Sequence, residues 1–226
     1  MPLTEFANGV WIASAPQKLY GWQLGARMTV LRLADESLLI HSPIALDDRL
    51  QGQIRALGPV SHLVAPSLFH HLYLRDAATT FPDAKVHGPA GLRKKRPDLR
   101  LDAILGTQSE PDWRDDVETL AVGGTLLDET LFWHKPSGTL VSADLIENFE
   151  TADDWWTRAY LKLAGIDGRI GLSRFLRLAF RDRKDARRSI DQVLQWDFDR
   201  IVLAHGKPIE SDGLELLRET YTWLRG

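Results

Sequence analysis

Near its start the chain alternates short apolar runs with turn signals, a pattern suited to paired strands. VWIAS (10–14), MTVLRL (28–33) and SLLIHS (37–42) are β-rich, and Asp35-Glu36 separates the last two as a hairpin turn would. Then the period changes. In ALDDRLQGQIRAL (45–57) the apolar residues at 46, 50, 54 and 57 fall at helical spacing, and Gly58-Pro59 stops the run. SHLVAPS (61–67) reads as a short buried strand and KVHGPAG (85–91) as a strand leading into a turn. The second half repeats the order. VETLAVGG, TLLDETLFWHK and TLVSADLI, within 117–146, are strand-like, with Gly123-Gly124 and Pro136-Ser137-Gly138 as turns. Residues 151–195 read as helical and charged, IVLAH (201–205) as the last strand, and GLELLRETYTWLRG (213–226) as a closing amphipathic helix. Strands followed by β/α units in each half predict an α/β fold of two packed sheets with helices outside. No short repeat, low-complexity stretch or linker interrupts it, so a single domain over 1–226 is expected.

Composition narrows the chemistry. Of 226 residues, 44% are hydrophobic and 26% charged, enough apolar mass for a large core. A net charge of −3 gives no general attraction to nucleic acid, and none is expected as a partner. There is no cysteine, which excludes disulfides and thiolate-bound metals; any metal must rest on His, Asp and Glu. MPLTEFANGVWIASAP lacks the charged and apolar regions of a signal peptide. No run approaches the roughly 18–20 apolar residues of a membrane helix. A soluble, cytoplasmic protein is the expectation.

Seven histidines are therefore the centre of interest. His41, His134 and His205, with Asp144, lie at or just after strand ends, and His70-His71 follow the strand SHLVAPS. In α/β sheets, ligands gather outside the carboxyl ends of strands, so these loops converging would assemble a site. Neutral imidazole and carboxylate suit zinc, iron or manganese, and three such ligands leave a position open for water. In a strand, adjacent His70 and His71 would point opposite ways. Both reach one metal only if the chain already curls there, which LFHHLYLRDAATTF permits.

The order EFANGVWIAS, MTVLRLADESLLIHSP, HLVAPSLFHHLYL, LVSADLI and VLAHGKPI resembles the metallo-β-lactamase superfamily, and most of all an uncharacterised branch of it, a domain of unknown function. The resemblance covers about residues 5–220 and implies a four-layer αββα sandwich of two mixed sheets, with metal at one edge. The superfamily's Ile-Asp-Thr-Gly stretch is matched by Ile40-His41-Ser42-Pro43, so His41 stands in for the aspartate. Its His-x-His-x-Asp-His motif falls on Pro66 to His71. Pro66 and Leu68 thereby replace two ligating histidines, His70 matches the aspartate, and His71 matches the last histidine. Its Gly-His-Thr motif falls near Gly123-Gly124-Thr125, again without histidine. Asp144 matches the bridging aspartate and His205 the final histidine. The three-histidine site is thus lost. The resemblance implies a reduced, mononuclear site of His70, His71, Asp144 and His205, with His41 as a supporting neighbour. One divalent ion is the implied cofactor, zinc before iron or manganese, with no metal as the alternative.

Two functions follow as expectations. The first is a metal-dependent hydrolase in which metal-bound water attacks an ester, lactone, amide or phosphoester, Asp144 orients that water and His134 carries protons. The second is a non-catalytic binding protein that keeps the fold and has lost the dinuclear site. Either takes a small-molecule ligand. GRIGLSRFLRLAFRDRKDARR (168–188) carries eight basic residues against two acidic ones; as a basic amphipathic helix it would offer a secondary, peripheral membrane contact.

Overall fold

The computed structural model describes residues 1–106 and 113–224. The larger sheet has seven strands: β1 (Thr4–Ala7), β2 (Val10–Ala15), β5 (Ala26–Arg32), β6 (Leu38–His41), β7 (Val60–Val64), β8 (Lys85–Gly88) and β9 (Ala103–Ile104), side by side in that order. Two short strands, β3 (Lys18–Leu19) and β4 (Trp22–Gln23), pair in the β2–β5 connection. The smaller sheet runs β10 (Val117–Ala121), β11 (Thr130–His134), β12 (Thr139–Ser142), β15 (Arg200–Leu203). Both sheets are mixed. Hairpin partners pair antiparallel, and strands reached through a helical crossover pair parallel, as in β6–β7 and β12–β15.

Alternation along the strands builds the layers. Leu38 and Ile40 of β6 join Val30, Leu63 and Val86 beneath α1 (Asp48–Leu57), α2 (Leu74–Thr80) and α3 (Ala90–Lys95). Their neighbours Leu31, Leu39 and Val64 face the other way, meeting Val117, Phe132, Val141 and Val202 of the smaller sheet. On that sheet's far side, Leu131, Leu140, Ile201 and Leu203 pack under α6 (Arg183–Val193) and α7 (Gly213–Thr220). Three buried cores between four layers make the αββα sandwich. Helix α1 shows the local logic. Asp47 caps it by accepting from the Leu50 amide at 2.7 Å, so the helix starts after that aspartate and not at Ala45. Its Leu50 and Ile54 are fully buried, worth about 2 kcal/mol each.

The segment 151–195 departs from expectation, because it is not one helical stretch. Helix α4 (Trp155–Ala164) ends at Gly165 with φ +79°. Strand β14 (Arg169–Gly171) then pairs with β13 (Glu147–Phe149), and the single-turn α5 (Arg174–Arg177) follows before α6. Ser173 and Asp182 cap the two later helices, and Phe180 bridges to Thr125 between them. Residues 168–188 are accordingly no continuous basic helix. Arg177 and Arg183 lie over the Trp223 ring, and Arg188 pairs with Asp185. No helix among the described residues is long and apolar enough to cross a membrane. The closing helix is shorter than 213–226: α7 ends at Thr220 and a 3-10 turn (Thr222–Leu224) follows, while residues 225–226 lie outside the described ones.

Candidate metal centre

The carboxyl ends of β6, β7, β12 and β15 deliver their loops to one edge of the sandwich. There His70, Asp144 and His205 each offer a ligand atom, all within 4.8 Å of one another. His70 Nε2 lies 3.2 Å from Asp144 Oδ1, and His205 Nε2 lies 3.4 Å from the same oxygen.

Each member is held by a specific local device. The β7 exit folds into a turn because Ser67 Oγ accepts from the amides of Phe69 and His70, which places His70 and His71 in a loop ahead of α2. Ser42, the residue after β6, adopts a left-handed φ of +53°, and its hydroxyl lies 2.9 Å from His70 Nδ1. Asp144 sits on a loop gripped by Glu129. That wholly buried carboxylate accepts from Ser142 Oγ and the Ala143 and Asp144 amides at 2.8–2.9 Å. His205 ends the β15 loop, where Arg27 donates to the carbonyls of Leu203 and Gly206 at 2.6 and 2.7 Å. Gly206 has φ +83°, and a Cβ there would sit 2.0 Å from the Asn148 carbonyl oxygen, so only glycine lets the turn pass.

The remaining sequence candidates are placed elsewhere. His71 lines the same cavity but turns away from the cluster, its Nδ1 accepting from Arg96 at 3.2 Å. Burial, then the charges of Lys95 and Arg96, lower its pKa. His41 is buried directly before Ser42, edge-on to Phe132 with ring centroids 5.2 Å apart. Burial and the nearby His70 push it down to about 3, which keeps it neutral. His134 does not reach the site. It pairs with Thr139 at the start of β12, at the opposite end from Asp144, and is buried against Ser137 Oγ and the Arg32 carbonyl. Pro66 and Leu68 are tied to the approach to β11: the Pro66 carbonyl accepts from Thr130 and the Leu68 amide donates to Leu127.

Glu129, Glu147, Ser42 and Gly25 were missed by sequence reasoning. Glu129 carried a faint signal, a carboxylate inside the apolar run TLLDETLFW, where an unpaired charge would be costly.

Electrostatics follow from burial around the ionised Asp144. Burial opposes its charge, yet His70 and His205 hold its pKa well below the carboxylate range. Burial raises Glu129 to about 8 and Glu147 to about 7, with the charge of Asp144 adding to each. Burial works against a charged His205, but its bond to Asp144 and the charges of Asp144 and Glu147 outweigh it and raise its pKa.

These shifts set a pH dependence for metal-stripped protein. Glu129, Glu147 and His205 keep protons in the fold at pH values where the unfolded chain releases them. Their contribution is present at lower pH and is lost as pH rises through their folded values. The neutral buried His41, His71 and His134 act in the opposite sense, below their ordinary value of 6.5. Above pH 6.5 the histidines' contribution is nearly complete, and the release of protons from Glu129, Glu147 and His205 lowers stability toward pH 8. Melts of chelator-treated protein should therefore show a lower Tm at pH 8 than at pH 6.5. Asp144→Asn should shrink the difference, and a flat profile in the parent would refute the assignment.

The donor set fits a divalent cation. A carbonyl can only accept, so His205 Nδ1, 2.8 Å from the Gly25 oxygen, carries the proton. In a neutral ring Nε2 then presents a lone pair to a carboxylate oxygen, an arrangement relieved only by a proton or a cation between them. Asp144 Oδ2 is buried with no hydrogen-bond partner among the described residues. Two imidazoles and one carboxylate, with the outer histidine nitrogens held by a hydroxyl and a carbonyl, match the ligand chemistry of zinc and its neighbours.

Comparison with solved structures agrees with this architecture. A metallo-β-lactamase from Pontibacter korlensis aligns over 100% of this chain and 99% of its own, with TM-score 0.68 and 14% identity. The metallo-β-lactamase FIM-1 from Pseudomonas aeruginosa, in a mono-zinc form, aligns over 99% and 94%, with TM-score 0.65 and 15% identity. A metal-soaked Flv1 flavodiiron core from Synechocystis aligns over 99% of this chain and 60% of its own, with TM-score 0.66 and 12% identity. At such identities the likeness is one of fold. No curated protein matches the sequence. The family model described as "Domain of unknown function (DUF4336)" matches residues 7–154, well over half of the chain. The chain therefore belongs to the DUF4336 family, on a metallo-β-lactamase fold.

Proposed function

We propose that this protein binds one divalent metal ion through His70, Asp144 and His205 and acts as a metal-dependent hydrolase. The observation that carries the reading is the convergence of two Nε2 atoms on one carboxylate oxygen, with His205 Nδ1 committed to the Gly25 carbonyl. The reading treats residues 1–226 as one domain, since loops of both sheets build the site. A divalent ion held there polarises a carbonyl and makes water acidic enough to react near neutral pH. The chain's own residues do the rest. Ser42 and the Gly25 carbonyl fix the two ring orientations, and Glu129 fixes the Asp144 loop. Glu147 lines the cavity, and one of its oxygens accepts from the Ser173 amide at 3.0 Å. With its pKa raised by burial to about 7, Glu147 is suited to hold or release a proton during turnover, the role sequence reasoning gave to His134.

A binding protein without metal is the competing reading, favoured by Pro66, Leu68 and Gly124 where the superfamily has ligating histidines. Elemental analysis of protein purified without added metal, followed by titration with zinc or manganese, separates them. About one equivalent of tightly held metal is expected. None bound, even after soaking, would leave only the binding reading.

A further inference from the structure

The wall of the site carries information about what enters it. The cavity in front of His70, Asp144 and His205 has a volume of about 340 Å³. That is at the small end for ligand clefts. Leu19, Leu24, Ile44, Phe69, Leu72 and Leu176 form its sides, and Tyr160 stands among them, stacked on Trp22 with ring centroids 4.0 Å apart. At the mouth, Leu19, Phe69 and Leu72 are about half exposed, large apolar surface that a bound apolar group would cover.

Positive charge is scarce there. Lys95 is the one lysine or arginine among the described residues lining the cavity. Its ammonium donates to the Leu68 carbonyl at 2.7 Å and lies 4.8 Å from the centre of the Phe69 ring. The nearby arginines are also engaged. Arg27 holds the Leu203 and Gly206 carbonyls, and Arg96 holds the Asp98 carboxylate. The charge held at the back of the cavity is the Asp144 carboxylate, and the second acid on its wall, Glu147, keeps its proton more readily than an ordinary carboxylate. A phosphoester, or an acyl compound with a pendant carboxylate, would need a bidentate or paired cation that the wall does not supply.

We propose that the substrate is a small, uncharged carboxylic ester, lactone or amide bearing an apolar chain or ring. The proposal rests on the hydrolase reading and narrows it by removing phosphoesters and anionic acyl compounds. Hydrolysis breaks the bond from the acyl carbon to the leaving oxygen or nitrogen and joins the water oxygen to the acyl carbon; one water proton goes to the departing group, giving an acid and an alcohol or amine.

Two measurements keep the pocket and the chemistry apart. The first uses metal-stripped protein, with δ-octalactone and octyl phosphate as probes in saturation-transfer NMR and tryptophan fluorescence titrations. The lactone should bind at least about tenfold more tightly than the phosphate. Leu72→Lys, at an exposed position, should leave the Tm unchanged, weaken the lactone several-fold and strengthen the phosphate. Equal or tighter phosphate binding in the parent, or no lactone binding, would overturn the proposal. The second uses zinc- or manganese-loaded protein with p-nitrophenyl esters of two to eight carbons and p-nitrophenyl phosphate. The expected result is kcat/KM rising with acyl length and exceeding that of the phosphate by about 100-fold. Preferred turnover of the phosphate also overturns the proposal. Lactone binding without any ester turnover would sink the hydrolase reading while the uncharged, apolar ligand class stands.

Discussion

His205→Gln and Asp144→Asn should each fold and each bind zinc or manganese at least about 100-fold more weakly than the parent, because changing even a residue behind a metal ligand costs 10–100-fold. Both substitutions keep size and polarity nearly constant. The glutamine of the first variant retains a side-chain amide for the Gly25 carbonyl but has no imidazole nitrogen to offer an ion. The asparagine of the second keeps its backbone N–H on Glu129, since the side chain takes no part in that bond, and loses the charge that draws a cation. Ser42→Ala is the internal comparison. It removes only the hydroxyl beside His70 Nδ1 and should fall within the milder 10–100-fold range. Calorimetric titration of the three variants decides the matter. If His205→Gln and Asp144→Asn bind as tightly as the parent, the two residues hold structure and not metal.

Much of this site was legible in the sequence because it depends on where strands end. Alternating apolar runs marked the strands, the switch to helical spacing after Ser42 marked the first crossover, and strand ends pointed to His41, His70, His71, His134, Asp144 and His205, of which His70, Asp144 and His205 come together. What stayed illegible depends on direction and on tertiary partners. His70 and His71 are indistinguishable as letters. Only the Ser67 turn and the Arg96 guanidinium decide that one faces Asp144 and the other does not. His134 also ends a strand, but of the opposite polarity, so its loop emerges at the far edge. The helical reading of 151–195 failed because Gly165 and Gly168, both at positive φ, let the chain leave the helix and pair with β13. Glu129 lies 15 residues before Asp144 and gains its meaning only when β11 and β12 pair.

The absent third histidine is not a simple deletion that one substitution could reverse. Gly124 has φ +70°, and a Cβ built on it would lie 2.1 Å from the Asp182 carbonyl oxygen and 3.0 Å from the Ala186 amide nitrogen. Those atoms are the first turn of α6, and they are anchored from both sides. The Gly124 carbonyl accepts from the amides of Arg181 and Asp182 at 2.8 and 3.0 Å, while Asp182 itself caps the helix. At the neighbouring Gly123 a Cβ would meet only the Asp185 carboxylate, 2.3 Å from its Oδ2, a side-chain end that can move aside. The chain has therefore brought a helix N-terminus against the position where the superfamily's histidine would start, and a side chain cannot pass. Gly124→His should destabilise the protein by about 3 kcal/mol, from the left-handed backbone and the overlap together. Gly124→Ala should cost nearly as much, since the clash begins at Cβ. For a chain of this length that is a fall in Tm of about 6–12 °C. Melting both variants tests the argument. A Gly124→His protein that melts with the parent would show that α6 yields where the packing says it cannot.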